Sequence, residues 1–220
     1  VVNEDLNNYR YERKFVVSAI YHREVVLYLR LHPALFTEIF NQRFVNNIYL
    51  DTIALKNYHE NVNGDSSRVK YRIRWYGDFY GRSLEPKLEI KIKQGSLGRK
   101  EVYPLESFDV CQKISAKSLL NIFQASNLPR KLLLQLKMLK PVITNRYSRK
   151  YYESYDQHYR ITLDTNMSYN RFHQLQNQFL AISQDFKNII MEMKYNFNDE
   201  ITARNITKFL PGRVDKNSKY

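Results

Sequence analysis

The sequence predicts an α+β fold that is mostly β: an eight-stranded antiparallel β-barrel with helices packed on its outside. Three observations carry that expectation. The 220 residues include 18 Tyr and 12 Phe, a composition that favours pleated sheet over helix. Eight segments show stretches of period-two alternation between apolar and polar side chains. In several of them the polar face is charged, with cations and glutamates recurring in similar register. A solvated sheet surface accounts for one such strand. A repeated charged face fits better in a barrel whose charged faces turn inward and whose apolar faces lie under helices.

The elements follow in chain order. A strand near 9–17 places Arg10, Glu12 and Lys14 on one face. A helix over 21–31 carries an apolar stripe of Val25, Val26 and Leu29. A strand over 44–51 and a helix over 53–60 precede a turn at 61–67 marked by Asn63-Gly64-Asp65. Residues 68–76 form the most informative strand. Arg68, Lys70, Arg72 and Arg74 share one face, and Val69, Tyr71, Ile73 and Trp75 share the other. In the strand over 85–93, Glu85, Lys87, Glu89, Lys91 and Lys93 oppose Leu88, Ile90 and Ile92. A turn at 95–98 leads to a strand over 99–105. Helices follow over 115–125, with Ser115 as cap and Leu119, Leu120 and Phe123 as stripe, and over 129–139. Strands at 143–155, 158–164 and 188–197 complete the set. Arg160, Thr162 and Asp164 alternate with Ile161 and Leu163, and Glu192 and Lys194 oppose Met191, Met193 and Tyr195. No linker, repeat or low-complexity block interrupts the chain, so a single domain over 1–220 is expected.

Composition narrows the function. Lys and Arg total 35 against 22 Asp and Glu, a net charge of +13 that calls for a polyanionic partner: nucleic acid, an anionic membrane or polyphosphate. Cys111 is the lone cysteine, which excludes a disulfide framework or a cysteine zinc site and suggests a small filler residue. No run approaches a membrane span and no signal segment opens the chain, so a soluble, cytoplasmic protein is expected, touching membranes only through a partner. The five His are scattered without ligand spacing, and phosphate-loop, dinucleotide, zinc-protease and nucleophile-elbow motifs are missing. Chemistry must then come from cations, carboxylates and a metal. That combination suits phosphoryl transfer, where Arg and Lys clamps and a hard divalent ion neutralise phosphate charge. Glu12, Glu89 and Glu192 stand on cationic faces, either as metal ligands or as partners in salt bridges within the sheet.

Eight motifs then occur in order: Tyr11-Glu-Arg-Lys-Phe15, Ile48-Tyr-Leu-Asp-Thr52, Lys70-Tyr-Arg-Ile-Arg-Trp-Tyr76, Leu88-Glu-Ile-Lys91, Arg146-Tyr-Ser-Arg149, Arg160-Ile-Thr-Leu-Asp-Thr165, Met191-Glu-Met-Lys-Tyr195 and Lys216-Asn-Ser-Lys-Tyr220. Together they resemble the catalytic domain of the vacuolar transporter chaperone (VTC) family, the polyphosphate-polymerase branch of the triphosphate tunnel metalloenzymes. The resemblance spans about residues 9–220. It implies an eight-stranded tunnel, ATP or another nucleoside triphosphate and inorganic polyphosphate as partners, and Mn²⁺ or Mg²⁺ as cofactor.

Residue by residue, the resemblance implies phosphate-handling roles for Arg72, Arg74, Lys91, Arg149 and Arg160. It implies substrate contacts for Lys14, Lys100, Lys216 and Lys219, to which Lys70 and Lys194 are added from the matched strands. Glu192 matches the metal-binding glutamate, with Glu12 and Glu89 as candidate support. The E-x-E-x-K opening of the wider superfamily departs here, because position 10 is Arg. That departure favours the polymerase-like branch over a hydrolase built on an N-terminal glutamate pair. The membrane part and regulatory domain of the eukaryotic complex have no counterpart here, which implies a stand-alone catalytic domain.

The leading reading is therefore a metal-dependent polyphosphate polymerase acting on ATP. The alternatives are a tunnel triphosphatase and a non-catalytic module that binds polyphosphate or RNA. Tyr71 and Trp75 alternate away from the arginine face, which places them in a core and disfavours nucleic acid as the partner.

Overall fold

Strand periodicity governs most of the computed structural model, which describes residues 10–95, 97–111, 113–215 and 218–219. In chain order the strands and helices are β1 (Arg10–Ser18), α1 (His22–Leu31), β2 (Thr37–Asp51), α2 (Lys56–Asn63), β3 (Ser67–Tyr76), β4 (Gly81–Ser83), β5 (Lys87–Gln94) and β6 (Leu97–Pro104). There follow β7 (Phe108–Val110), α3 (Ala116–Ala125), α4 (Arg130–Leu136), β8 (Lys140–Glu153), β9 (Arg160–His173), β10 (Gln178–Asp185), β11 (Asn188–Asn196), α5 (Glu200–Lys208) and β12 (Arg213–Val214). The fold is α+β and mostly antiparallel sheet, as expected. All eight predicted strands and four predicted helices have counterparts. The short β4, β7, β10, β12 and helix α5 are additions.

The main sheet runs β10-β9-β11-β1-β6-β5-β3-β2-β8, and β8 also pairs back onto β9 from Ile143–Arg171 to Glu153–Arg160. The pairing thus turns back on itself, but one seam departs from the expected barrel. Between β1 and β6 the register contains one pair, Arg10 with Gly98. Farther along, β1 pairs instead with β12, through Phe15–Val214 and Val16–Arg213, and Asp215 N donates to the Lys14 carbonyl at 2.8 Å. A strand has two edges, and β11 fills the other one. Among the described residues the sheet is therefore not zipped shut as an eight-stranded barrel: β6 meets β1 at one pair, at the start of β1, and farther along that edge residues 213–215 take the hydrogen bonds. Gly212 permits this approach. Its φ is +89°, and an added Cβ would lie 3.0 Å from Val17 Cγ2.

Apolar faces turn outward under helices. Ile48, Ile73, Trp75, Leu88 and Ile90 pack with Leu119, Phe123, Leu132 and Leu136 of α3 and α4. On the other side Phe15, Ile161, Leu163, Met191 and Met193 pack with Val25, Leu29, Ala203 and Ile206 of α1 and α5. Ser115 starts α3 with a capping box, its hydroxyl accepting from Ser118 N at 2.9 Å. Trp75 is a core residue and donates Nε1–H to the Asp78 carbonyl at 3.0 Å. Cys111, expected as filler, is exposed at a loop instead.

A third cluster was not foreseen. Val45, Tyr147, Met167 and Ile190 pack together. By strand alternation Val45 shares the face of Asn47, Tyr147 that of Arg149, and Ile190 that of Glu192. These residues stopper part of the inner, charged side.

Candidate functional site

The inner faces of the sheet carry the charges. On the β2–β3–β5–β6 wall, alternation in β3 sends Arg72 and Arg74 inward beside Glu89 of β5. Arg72 Nε donates to Glu89 Oε2 at 2.7 Å, and its Nη1 to the Tyr49 hydroxyl at 3.3 Å. Arg74 Nε donates to Asn47 Oδ1 at 2.8 Å and its Nη2 to the Tyr147 hydroxyl at 3.0 Å. Lys100 Nζ reaches Glu89 Oε1 at 3.1 Å. Burial alone would raise the Glu89 carboxyl, but Arg72, Arg74 and Lys100 outweigh it and hold the group well below the usual carboxylate range.

The facing β8–β9–β11–β1 wall centres on Asp164 and Glu192. Arg149 grips Asp164 in a two-pronged fork, Nε to Oδ1 at 2.5 Å and Nη2 to Oδ2 at 2.6 Å. Lys219 arrives from the segment that follows β12. Its Nζ lies 2.6 Å from Asp164 Oδ2 and 3.2 Å from Glu192 Oε1, and its carbonyl accepts from Asn145 Nδ2 at 2.8 Å. Glu192 also faces Lys14 at 3.5 Å, Arg149 at 3.6 Å and Lys194 at 3.8 Å. Burial opposes ionisation of Glu192, yet Lys219, Lys14, Lys194 and Arg149 keep its carboxyl well below the ordinary value.

Between the walls lies a cavity of about 70 Å³, lined by Lys14, Lys70, Arg72, Arg74, Lys91, Arg149, Lys194 and Lys219, with Tyr49, Tyr147, Ser218 and a single carboxylate, Glu192. With Glu12, Glu89 and Asp164, which pair with these side chains from around the cavity, eight cations meet four carboxylates, and the interior stays positive. Burial and the surrounding Lys14, Lys91, Arg68 and Arg72 push the Lys70 ammonium down to about 7. Burial pushes Lys194 down to about 8, despite Glu192 and Glu12 nearby. Such values mark a site whose cations repel each other until an anion enters.

Comparison with known proteins settles the family. The VTC domain model matches residues 9–220. The chain belongs to the VTC-domain family. No curated protein matches its sequence. Among solved structures, the VTC domain is similar to an adenylate-cyclase candidate from Bacillus halodurans, with 16% identity, TM-score 0.55 and coverage of 96% of this chain and 94% of that one. It is also similar to an adenylyl-cyclase candidate from Hippeastrum described as having a dominant triphosphatase activity, with 11% identity, TM-score 0.54 and coverage of 96% and 92%. At these identities the likeness is one of fold.

The VTC domain brings together most of the residues singled out from the sequence. Lys14, Lys70, Arg72, Arg74, Lys91, Arg149, Lys194, Lys219 and Glu192 line one cavity. Lys100 stands behind it on Glu89. Arg160 does not join them. Its side chain is 56% exposed and its Nε binds Glu153 Oε1 at 2.6 Å, because β9 has run out past the cavity by that position. Lys216 lies outside the described residues. Glu12 shares Lys14 with Glu192, while Glu89 stands on the facing wall. Glu12 binds Lys14 at 3.1 Å and Lys91 at 2.9 Å, and Glu89 is engaged by Arg72, Arg74 and Lys100, so each makes salt bridges within the sheet.

Asp164 was missed as a site residue, although the alternation with Arg160 and Thr162 had placed it on the charged face. Tyr49, Tyr147, Asn47 and Asn145 carried no charge to flag them. Among the described residues no three His, Cys, Asp or Glu side chains form a metal cluster. The chemistry nevertheless fits a hard divalent ion. Asp164 and Glu192 already share one cation, the Lys219 ammonium. Thr162, opposite Glu192 in the ladder, has a buried hydroxyl without a hydrogen-bond partner among the described residues.

Proposed function

We propose that this VTC domain is a metal-dependent phosphotransferase, acting as one unit over residues 1–220, that moves the γ-phosphate of ATP onto a growing inorganic polyphosphate chain. The observation that carries the reading is the convergence of eight cations on one cavity containing a single glutamate. Guanidiniums of Arg72, Arg74 and Arg149 offer planar forks for phosphate oxygens, while Lys14, Lys70, Lys91 and Lys194 act as point charges on the triphosphate or acceptor. Lys100 supports the wall through Glu89. Lys219 exchanges its carboxylate partners for phosphate oxygens as the chain enters. Mn²⁺ or Mg²⁺, held by Glu192 with Asp164 and the Thr162 hydroxyl, would supply charge neutralisation on the transferring group.

In the reaction a terminal oxygen of the acceptor polyphosphate bonds to the γ-phosphorus, the bond from that phosphorus to the β–γ bridging oxygen breaks, and ADP leaves. The acceptor oxygen is already ionised, so no general base is needed. That is consistent with the scattered histidines. Transfer then rests on positioning and on charge stabilisation by the arginines, which are held in place before substrate arrives.

A triphosphatase is the second reading, favoured by the fold likeness to the Hippeastrum protein. It uses the same clamp with water as acceptor. Incubation of the purified chain with ATP and Mn²⁺, with and without a short polyphosphate primer, separates the two. Polyphosphate ladders on a gel support the polymerase, and free phosphate without ladders supports the triphosphatase. Neither product would overturn both and leave a binding module. Glu192→Gln is expected to retain tripolyphosphate binding and lose turnover. Full activity in that variant would remove Glu192 from the metal role.

A further inference from the structure

Outside the charged interior, α3, α4 and the start of β8 enclose a second cavity of about 190 Å³. Its walls are apolar: Leu50 at the end of β2, Leu119, Leu120 and Phe123 of α3, and Leu136 and Leu139 around the end of α4. Its rim is cationic, formed by Lys117, Lys137 and Lys140. None of these three lysines forms an ion pair with a carboxylate among the described residues. The surrounding sequence is one-sided as well. Residues 113–140 contain Lys113, Lys117, Arg130, Lys131, Lys137 and Lys140 and no Asp or Glu. Two large apolar side chains beside the rim project into solvent, Leu134 at 56% exposure and Met138 at 71%.

An apolar pocket with a cationic rim is complementary to an amphiphile with an apolar tail and an anionic head. An engineered apolar cavity of about 150 Å³ stays dry and takes up benzene, so this one has room for the end of an acyl chain. Exposed Leu and Met flanked by lysines match the way peripheral helices insert apolar side chains at the acyl boundary while their cations meet lipid phosphates. An acidic peptide would satisfy the lysines but not the apolar pocket or the projecting Leu134 and Met138. We propose that the α3–α4 hairpin is a docking site for anionic phospholipid, with the lysine rim on the headgroup phosphates and the cavity receiving an acyl end. Among the described residues no helix is long and apolar enough to cross a membrane, so the contact is peripheral.

The test is flotation of the full chain with phosphatidylcholine vesicles, with and without phosphatidylserine, in saturating tripolyphosphate so that the interior cations are occupied. Capture is expected only with phosphatidylserine. The triple variant Lys117→Glu, Lys137→Glu, Lys140→Glu should lose it on the order of a hundredfold, at roughly tenfold or less per lysine. Reversal of Lys56, Lys187 and Lys208, exposed lysines elsewhere, makes the same change in net charge and should leave capture largely intact. A tryptophan introduced as Met138→Trp should be quenched by brominated acyl chains, a readout that does not depend on the triple variant folding.

Absence of capture, equal loss in the two triple variants, or an unquenched Met138→Trp would each overturn the lipid site; absence of capture would turn attention to an acidic protein partner. Polyphosphate synthesis in solution is independent of every arm, so failure here and failure of the phosphotransferase reading are distinguishable.

Discussion

The two sides of the charged interior use cations differently. Around Asp164 and Glu192, Arg149, Lys219 and Lys14 are met by carboxylates at 2.5–3.5 Å, and Asp164 is fully buried at 0% exposure. Around Lys70, burial comes first and the neighbouring Lys14, Lys91, Arg68 and Arg72 add to it in lowering the ammonium, whose Nζ donates to the Ser218 hydroxyl at 2.7 Å. The first region is compensated from within and holds the walls together. The second is only partly compensated, by Glu12 on Lys14 and Lys91 and by Glu89 on Arg72, and gains more from a guest. Cations of the same type, on neighbouring strands, thus differ in how much of their charge is already met by carboxylates within reach before phosphate arrives.

The largest effect should come from breaking the compensated side. Asp164→Asn leaves Arg149 and Lys219 buried against a neutral amide, with a stability loss of roughly 3–5 kcal/mol by denaturant titration. A loss under about 1 kcal/mol would mean that the cations relax into solvent and that the side is no scaffold. On the other side, Lys70→Met should leave the melting temperature unchanged or raise it while tripolyphosphate binding weakens roughly ten- to a hundredfold, the range for one charge-assisted hydrogen bond. An unchanged Kd by calorimetry would reduce Lys70 to a spectator.

The pH dependence sharpens the same contrast. Lys70 and Lys194 have ammonium pKa values lowered to about 7 and about 8, and a bound polyanion favours their charged forms. Affinity should be flat below about pH 7 and fall between pH 7 and 9, by up to about tenfold per unit for each group, with proton uptake on binding. For stability the sign is opposite. A lysine whose folded pKa lies below its unfolded value penalises the folded state when protonated, so these two groups should add stability as pH rises from about 7 toward the ordinary lysine value. Calorimetry in buffers of different ionisation enthalpy reads the uptake, and binding without it would contradict the depressed values. Arg160→Ala should matter least. As an exposed pair with Glu153 it is worth about 0–1 kcal/mol, and tripolyphosphate affinity should move less than about twofold. A tenfold loss would return Arg160 to the site.

The contrast explains what could be read from one dimension. Period-two alternation assigns a face to each side chain but not a neighbour. It put Lys14, Arg72, Arg74, Lys91 and Glu192 on charged faces and Trp75 in the core, as found. It also put Arg160 on the same face as Asp164, where the structure separates them. The difference is position along the tilted strands: Arg160 pairs with Glu153 at the end of the β8–β9 ladder, Asp164 with Arg149 in its middle. Neutral residues such as Tyr49 and Asn145 left no trace, since nothing in their local pattern distinguishes a ligand from a packing residue. The apolar stopper was hidden for a related reason, because Val45 and Ile190 read as ordinary members of alternating strands.

By itself the sequence determined the order of eight strands and four helices, the division of those strands into apolar and charged faces, and an excess of cations that calls for a polyanion. These depend on local periodicity and composition, which are properties of a chain before it folds. Tertiary structure alone decided which cations are neutralised, that the β1 edge beyond its single pair with β6 is taken by residues 213–215, and that Lys219 reaches Asp164 and Glu192 across the interior. Those outcomes turn on distances of a few ångströms between segments far apart in sequence, and charge interactions change most steeply at that range.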